Sequence, residues 1–489
     1  MKIPVRRSDV ILRGDPQRVI SRIFIPGEEE LIRGTSRARD VLDRCLSLSA
    51  TQVHEVLAET LANFSGRHRD LEEQFELHYS AVQHLIPDED AIDIERKRLI
   101  GAYLTQEYAV EAAAYFNPSI VAHPDQSALE PDQLRFVMSV RAVGEGHIST
   151  LAFRTGVIDP DGNVQVDAAC AFATTRAQRY TVLRNELVQQ SAIDAGIDSA
   201  DLHFVLGMLP DKFTPEDLNS SLNLLKSRPE RAEHPGDIVD SLQEIARNSY
   251  EVDFEDDTVL SERVLWPIAS DERRGIEDAR FVQVADELGK TAYRATYTGF
   301  DGTNVVSRML ETDDFRCFSS LKLTGKAVQN KGVAFFPRLI GGRYCALSRW
   351  DRESNSIAYS DDGYHWDEIS SFQSPKQPWE LIQIGNCGSP IETEAGWLVI
   401  THGAGAMRQY SIGAVLLDLE DPSIMIGALS SPLLTPNPDE RNGYVPNVVY
   451  SCGSLVHRGK LIMPYGFSDY RTSFATMELS DVLAAMEEV

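Results

Sequence analysis

Arg273-Arg274-Gly275-Ile276-Glu277-Asp278-Ala279-Arg280-Phe281-Val282 is the stretch around which the chain is organised. It sets two adjacent carboxylates between cations, just after a glycine, and a strand-like run follows from Phe281 to Val284. Neighbouring side chains of an extended segment point to opposite faces, so only one of Glu277 and Asp278 is expected to face a shared cavity. A carboxyl at a strand start can serve as a general acid. The same residues also read as a surface turn laced with ion pairs, which contribute little to stability.

Downstream of this stretch the chain reads as β. From Val259 onward strand-like runs recur, among them Ala292–Thr298, Val333–Phe336, Tyr344–Ser348, Ser356–Ser360, Trp397–Thr401, Ile412–Leu417, Val445–Tyr450 and Leu461–Tyr465. Turn signals separate them: Asp301-Gly302, Gly341-Gly342, Asp361-Asp362-Gly363 and Arg458-Gly459. Short strands at near-regular intervals suggest a sandwich, a barrel or a propeller. All five tryptophans (Trp266, Trp350, Trp366, Trp379, Trp397) lie in this half, and core packing is the first reading for each.

Upstream the texture changes twice. Residues 1–35 read as an extended lead-in with short strands at Val10–Leu12 and Val19–Phe24. Helical periodicity starts at Ser36, and Ser49-Ala50-Thr51-Gln52 has the form of a capping box. Apolar stripes follow through Val53–Phe64 and Leu71–Ile86, stopped by Pro87, and a third helix is expected from Ala91 to Ala114. His54, His68, His78 and His84 form no coherent ligand set. At Phe116-Asn117-Pro118 short strands begin, and Asp159-Pro160-Asp161-Gly162-Asn163 marks a turn. Thr175–Ser249 then reads as helical, with Thr214-Pro215-Glu216-Asp217 as a helix start. The expected organisation is therefore lead-in strands and a helical extension over 1–115, then a β unit over 116–489 with a helical insertion at about 176–255. The two helical segments are expected to pack together.

The net charge is −27 with a pI near 4.8. That balance argues against nucleic acid or an anionic membrane surface as partner. Met1–Val10 is polar and basic, so no secretory signal is expected, and no apolar run reaches membrane-spanning length. The six cysteines are scattered without Cys-x-x-Cys spacing and read as reduced thiols of a cytoplasmic protein, with no metal site.

The β half holds ordered signatures. Asn330-Lys331-Gly332-Val333 through Arg343-Tyr344 leads to Ser348-Arg349-Trp350, then Tyr359-Ser360-Asp361-Asp362-Gly363, Trp379-Glu380, Gly385, Thr401-His402-Gly403 and Tyr410-Ser411-Ile412-Gly413. Gly443-Tyr444-Val445-Pro446-Asn447 and Tyr465-Gly466-Phe467-Ser468-Asp469 close the series. In order and spacing, over roughly 116–175 and 259–480, this set resembles glycoside hydrolase family 130, the β-mannoside phosphorylases and related β-mannosidases.

The resemblance implies a five-bladed β-propeller with the active site in its central funnel. It implies that Asp278 is the catalytic acid, acting on the glycosidic oxygen through the 3-hydroxyl of the mannosyl unit. Ala279 stands where the family usually has proline. Asn117, Arg141 and Asp469 match positions that hold the sugar; Lys331, Arg349, His402 and Tyr410 match positions that line phosphate. Gln383 replaces a lysine frequent in the family, so the cradle is one charge lighter. The implied partners are a β-mannoside or mannooligosaccharide, with inorganic phosphate as co-substrate and no other cofactor; self-association is left open. Taken without the family, Lys331 and Arg349 read as surface charges and His402 as a core histidine.

Physical logic agrees with a phosphorylase. An inverting glycosidase needs two carboxylates, because water needs a base. Phosphate is already a nucleophile and needs instead a cationic cradle. Two other readings stay open: a hydrolase on the same scaffold, against which Lys331, Arg349 and His402 speak and for which Gln383 speaks mildly, and a sugar-binding propeller without catalysis, against which Asp278 speaks.

Overall fold

The computed structural model describes residues 3–26, 37–86, 91–176, 179–227, 235–285 and 291–489. The expected helix start at Ser36 and stop at Pro87 lie outside them. The protein is mainly β, as five antiparallel meanders.

The first meander contains Ala114–Ala122, Leu134–Val143 and Ser149–Ile158; the second contains Gly275–Ala285, Thr291–Phe300, Val305–Thr312 and Cys317–Lys322. A single parallel pairing, Gly275 with Ser149, joins them into one eleven-stranded sheet. The third is Ala334–Phe335, Tyr344–Ser348, Asn355–Ser360 and Glu368–Gln373. The fourth is Gln383–Asn386, Gly396–Ala404, Tyr410–Leu417 and Met425–Ala428, edged by Glu487–Glu488. The fifth is Val449–Tyr450, Lys460–Phe467 and Arg471–Glu478, edged by Arg6–Arg7 from the other end of the chain.

The central strands are apolar on both faces, and period-2 alternation sends the two faces to different neighbours. In Gly396–Ala404, Trp397 and Val399 pack with Phe336, Leu347 and Ile357 of the third meander. The intervening Leu398 and Ile400 pack with Met463 and Tyr465 of the fifth. The pattern repeats around the molecule. Phe153 and Phe281 share a core between the first and second meanders; Val282 and Trp366 share one between the second and third. Ile462 and Phe474 of the fifth meander then pack on Phe136 and Met138 of the first.

The helices form two sets. The first comprises α1 (Arg37–Ser47), α2 (Ala50–Phe64), α3 (Leu71–Ser80) and α4 (Ile94–Tyr103). The second comprises α5 (Asn185–Asp194), α6 (Ala200–Gly207), α7 (Pro215–Lys226) and α8 (Pro235–Arg247). The expected capping box forms at Ser49 with Gln52, and the expected helix start at Thr214 holds, closed by a box with Asp217. Contrary to expectation, the two sets do not share a core among the described residues. α1 to α4 pack around Leu42, Phe75, Tyr79, Leu99 and Ile100. α5 to α8 pack around Leu202, Val205, Leu222 and Leu242. Arg69, just before α3, is tied to Glu262 at 2.6 Å; α5 instead meets the second and third meanders through Leu187 and through Asp194, which accepts the Gly325 N–H at 2.7 Å.

The expected third helix is also shorter than its pattern. α4 ends at Tyr103, and Thr105–Ala109 becomes a strand paired with Val19–Ile23. Just beyond, Glu111 is fully buried between Arg18 and Arg154, at 3.0 and 3.4 Å, and that ion cluster holds the chain in its new direction. The Asp159 turn is as read: Asp159 Oδ1 accepts the N–H groups of Asp161 and Asn163 at 2.9 and 2.8 Å.

Candidate active site

Two β-bulges of the same form build the site. In the second meander Glu277 pairs with Thr298 and Arg280 with Thr296, so Asp278 and Ala279 together oppose one residue. In the first meander Phe116 pairs with Arg141 and Ser119 with Ser139, so Asn117 and Pro118 do the same. The leading residue of each bulge is left-handed, Asp278 at φ 55° and Asn117 at φ 52°. Asp and Asn tolerate that region better than other side chains. The N–H of Phe281, next to the second bulge, is satisfied by Ser119 Oγ of the first at 3.0 Å. Gly466 gives the Asn117 bulge its room, because a β-carbon there would come within 2.8 Å of the Asn117 nitrogen.

The bulge overturns one expectation. Glu277 and Asp278 do not diverge to opposite faces, because alternation requires a regular strand and Asp278 breaks it. Both carboxylates meet Arg141: Nη2 to Glu277 Oε1 at 2.7 Å, and Nη1 to Asp278 Oδ1 at 3.4 Å. Asn117 Nδ2 donates to the same Asp278 oxygen at 2.8 Å. Glu277 Oε2 holds Lys331 Nζ at 2.5 Å, so Lys331, expected to face an anion, is engaged by a carboxylate.

Burial pushes the Asp278 carboxyl up. The charges of Arg141, Arg280 and Lys331 and the Asn117 hydrogen bond outweigh it and hold the group below the usual range. Asp469 behaves in the opposite way. Burial and the neighbouring Asp278 charge raise it from 3.8 to about 6, although Arg141 and Arg408 pull it down. The site thus holds one carboxyl pushed down from its ordinary range and one pushed up toward neutral pH.

Of the residues expected to line an anion, Arg349, His402 and Tyr410 lie on or beside strands of the third and fourth meanders. Arg349 Nη1 is 3.0 Å from His402 Nε2, and the His402 ring stacks on Tyr410 with centroids 5.9 Å apart. Gln383 Nε2 donates to Tyr410 Oη at 2.8 Å, so the residue in the lysine's place is used as a neutral donor. His402 is 1% exposed. Burial, then the charges of Arg349 and Arg280, pushes it well below the usual histidine range, so it is neutral. Its neighbourhood is that of a core histidine with one polar duty.

Arg280 joins the two halves. It donates to the Asp278 carbonyl at 2.8 Å and to Tyr450 Oη at 2.9 Å, and the Tyr450 ring lies 4.7 Å from that of His402. Sequence reading did not single out Arg280, Tyr450 or Arg408. Arg280 and Tyr450 stood inside quoted motifs, but only the folded arrangement turns them inward. A cavity of about 490 Å³ between α5, α8 and the second meander contains none of these residues.

What the geometry shows is a buried carboxylate, Asp278, set among Arg141, Arg280 and Lys331. The chain belongs to glycoside hydrolase family 130: the family model, described as beta-1,4-mannooligosaccharide phosphorylase, matches residues 244–488. A 1,2-beta-oligomannan phosphorylase of Thermoanaerobacter sp. (strain X514) is 35% identical over 239 residues, 46% of this chain and 75% of that protein. A beta-1,2-mannobiose phosphorylase of Listeria innocua serovar 6a is 32% identical over 237 residues, 46% of this chain and 63% of that protein. The solved structure of beta-1,2-mannobiose phosphorylase from Listeria innocua with beta-1,2-mannobiose matches with a TM-score of 0.46 and 21% identity, over 77% of this chain and 92% of that one.

Proposed function

We propose that the protein is an inverting phosphorylase of β-linked mannosides. It transfers a mannosyl unit to inorganic phosphate, giving α-mannose 1-phosphate and a shortened acceptor. The observation that carries this reading is the state of Glu277, the carboxylate next to Asp278. Inverting hydrolysis needs a second carboxylate free as a base for water. Glu277 is clasped by both Arg141 and Lys331. Phosphate needs no base. The names of the two relatives favour β-1,2-mannooligosaccharides over the β-1,4 linkage of the family description.

In this reading Asp278 is the general acid, and Asn117, Arg141 and Asp469 hold the mannosyl unit. Lys331, Arg349 and Tyr410 line phosphate, with His402 behind Arg349. The cations that keep Asp278 ionised are also those nearest the incoming dianion. Phosphate offsets their field, raises the Asp278 pKa, and lets it take up the proton that the leaving oxygen receives. Chemistry thus waits for both substrates.

The five meanders are read as the blades of a five-bladed β-propeller around this site. The shared core between each successive pair, and between the fifth and the first, supports that arrangement. The catalytic unit is taken as 116–489 with the helical insertion at about 176–255; residues 1–115 are an extension that lends the last meander an edge strand. No helix among the described residues is long and apolar enough to cross a membrane, and six free thiols suit the cytoplasm.

Incubation of β-1,2-mannotriose with the full chain tests the reading. Mannose 1-phosphate should form only when phosphate is present, initially as the α anomer. Asp278→Asn should lower turnover by about 10²–10⁴-fold with sugar binding retained. Free mannose released equally fast with and without phosphate would overturn the proposal.

A further inference from the structure

The hydrogen bond between Arg349 and His402 has a fixed direction. A guanidinium offers donors only, so His402 Nε2 accepts and its proton sits on Nδ1. Nδ1 lies 3.9 Å from Cys387 Sγ, and the backbone of Asn386 also bonds to the ring. The ring is held between Tyr410 and Tyr450, and Gly385 keeps its approach to Arg349 open. A β-carbon at Gly385 would lie 2.5 Å from His402 Cε1 and 2.9 Å from Arg349 Nη1. His402 therefore acts on an anion through Arg349 and not by contact.

One acceptor does not fix a guanidinium, which can still pivot about Nη1. A second acceptor stands beside it. Arg349 Nε is buried and has no hydrogen-bond partner among the described residues. The Asn386 carboxamide is 1% exposed, and among the described residues neither its Oδ1 nor its Nδ2 is paired. Asn386 Oδ1 and Arg349 Nε flank one spot, 3.7 and 3.9 Å from where a β-carbon on Gly332 would be. A buried donor and a buried acceptor that both lie within 4 Å of one point are each costly unpaired, and pairing them would relieve both costs.

We propose that Asn386 is a positioning residue for Arg349. Its Oδ1 takes the Nε–H while His402 Nε2 takes an Nη1–H, and the two acceptors fix the plane of the fork with Nη2 turned toward phosphate. Both acceptors are neutral. A carboxylate in either place would hold the fork equally well but cancel the charge that phosphate needs. The inference rests on the phosphorylase reading above.

A double-mutant cycle on the full chain tests it: wild type, Asn386→Leu, Arg349→Ala and the double variant. Asn386→Leu keeps the volume and removes the acceptor. It should raise the phosphate KM about tenfold, as expected for a lost hydrogen bond to a charged group, and leave the mannoside KM within about twofold. On the Arg349→Ala background it should add less than about twofold, because nothing remains to position. His402→Gln, which keeps an acceptor, should retain more phosphate affinity than His402→Leu. An unchanged phosphate KM in Asn386→Leu, or an equal rise with and without Arg349, overturns the proposal and leaves Asn386 a packing residue. If the leucine variant does not fold, Asn386→Ala on both backgrounds asks the same question. The rise in melting temperature on adding phosphate, measured for the same four proteins, separates the two claims. A wild type that makes no mannose 1-phosphate sinks the phosphorylase reading, while the phosphate-induced shifts still test the clamp.

Discussion

Glu277 and Asp278 are consecutive, yet Glu277 holds both Arg141 and Lys331 while Asp278 shares only Arg141 and accepts from Asn117. Glu277→Gln removes a negative charge from between Arg141 and Lys331. The positive field at Asp278 then grows and its pKa falls further, so the rate profile should shift to lower pH as turnover drops. Stability should fall by about 1.5–3 kcal/mol, mostly through the Arg141 contact, since Lys331 is a third exposed. A pH–rate profile and a denaturation curve check both. Asp469 gives the opposite sign. Its pKa is raised from 3.8 to about 6 in the fold, so the protonated form is favoured there. Its contribution to stability is full below pH 3.8 and is lost as pH rises through about 6. Asp469→Asn should therefore make the unliganded protein more stable at pH 8, by up to about 3 kcal/mol at about 1.4 kcal/mol per unit. The excess over wild type should vanish below pH 4 even though the sugar site is damaged; a variant less stable than wild type at pH 8 would refute it. Asp278, Asn117 and Arg141 were legible because the motifs carry them. The company Glu277 keeps was not, because the alternation rule assumes a regular strand and the bulge is invisible in a one-letter reading.

At the scale of elements, the turn Ser270–Glu272 that leads into the Gly275 strand is wired to α8 and to the second meander. The Asn248 side chain accepts the Ser270 N–H at 3.0 Å, and Glu244 accepts the Ser270 hydroxyl at 2.7 Å. Arg308, fully buried, holds Asp271 at 2.9 Å and Glu272 at 3.0 Å and donates to the carbonyl of Asn248. Arg308→Met would remove the cation that neutralises Asp271 and Glu272. It should cost about 3–5 kcal/mol in urea unfolding, and activity should fall with it because the turn sets the strand that bears Asp278. Activity kept at full level despite that loss would show that the turn does not position the acid. Helix starts were readable at Ser49 and Thr214, where local hydrogen bonds decide. The end of α4 was not, because pairing with Val19–Ile23 and the buried Glu111 cluster are long-range facts that override a helical stripe.

At the scale of the whole molecule, texture alone left sandwich, barrel and propeller open, because all three alternate buried faces with period 2. The order of motifs narrowed the choice. The separateness of the two helical sets had no signal, since an amphipathic stripe does not name its partner. The last meander is completed from the far end of the chain: Arg6 pairs with Thr476, Ser8 donates to Phe474 O at 2.8 Å, and Leu12 and Thr472 exchange backbone bonds at 2.8 and 3.1 Å. Deleting residues 3–12 should lower stability by about 3 kcal/mol, at about 1 kcal/mol for each of the last three bonds. Calorimetry would show it, and an unchanged melting temperature would count against a structural role for this strand. The stitch also has a consequence in time. On the ribosome, residues 6–12 emerge roughly 460 residues ahead of their partners at 471–478. At about 5–20 residues per second the nascent chain waits roughly 25–90 s with an unpaired strand edge at each end of the seam. The four meanders already synthesised can fold in that interval, but the ring of contacts stays open until the last meander arrives. Slowed translation or a scarce chaperone should therefore tell on the yield of this protein more than on its melting temperature.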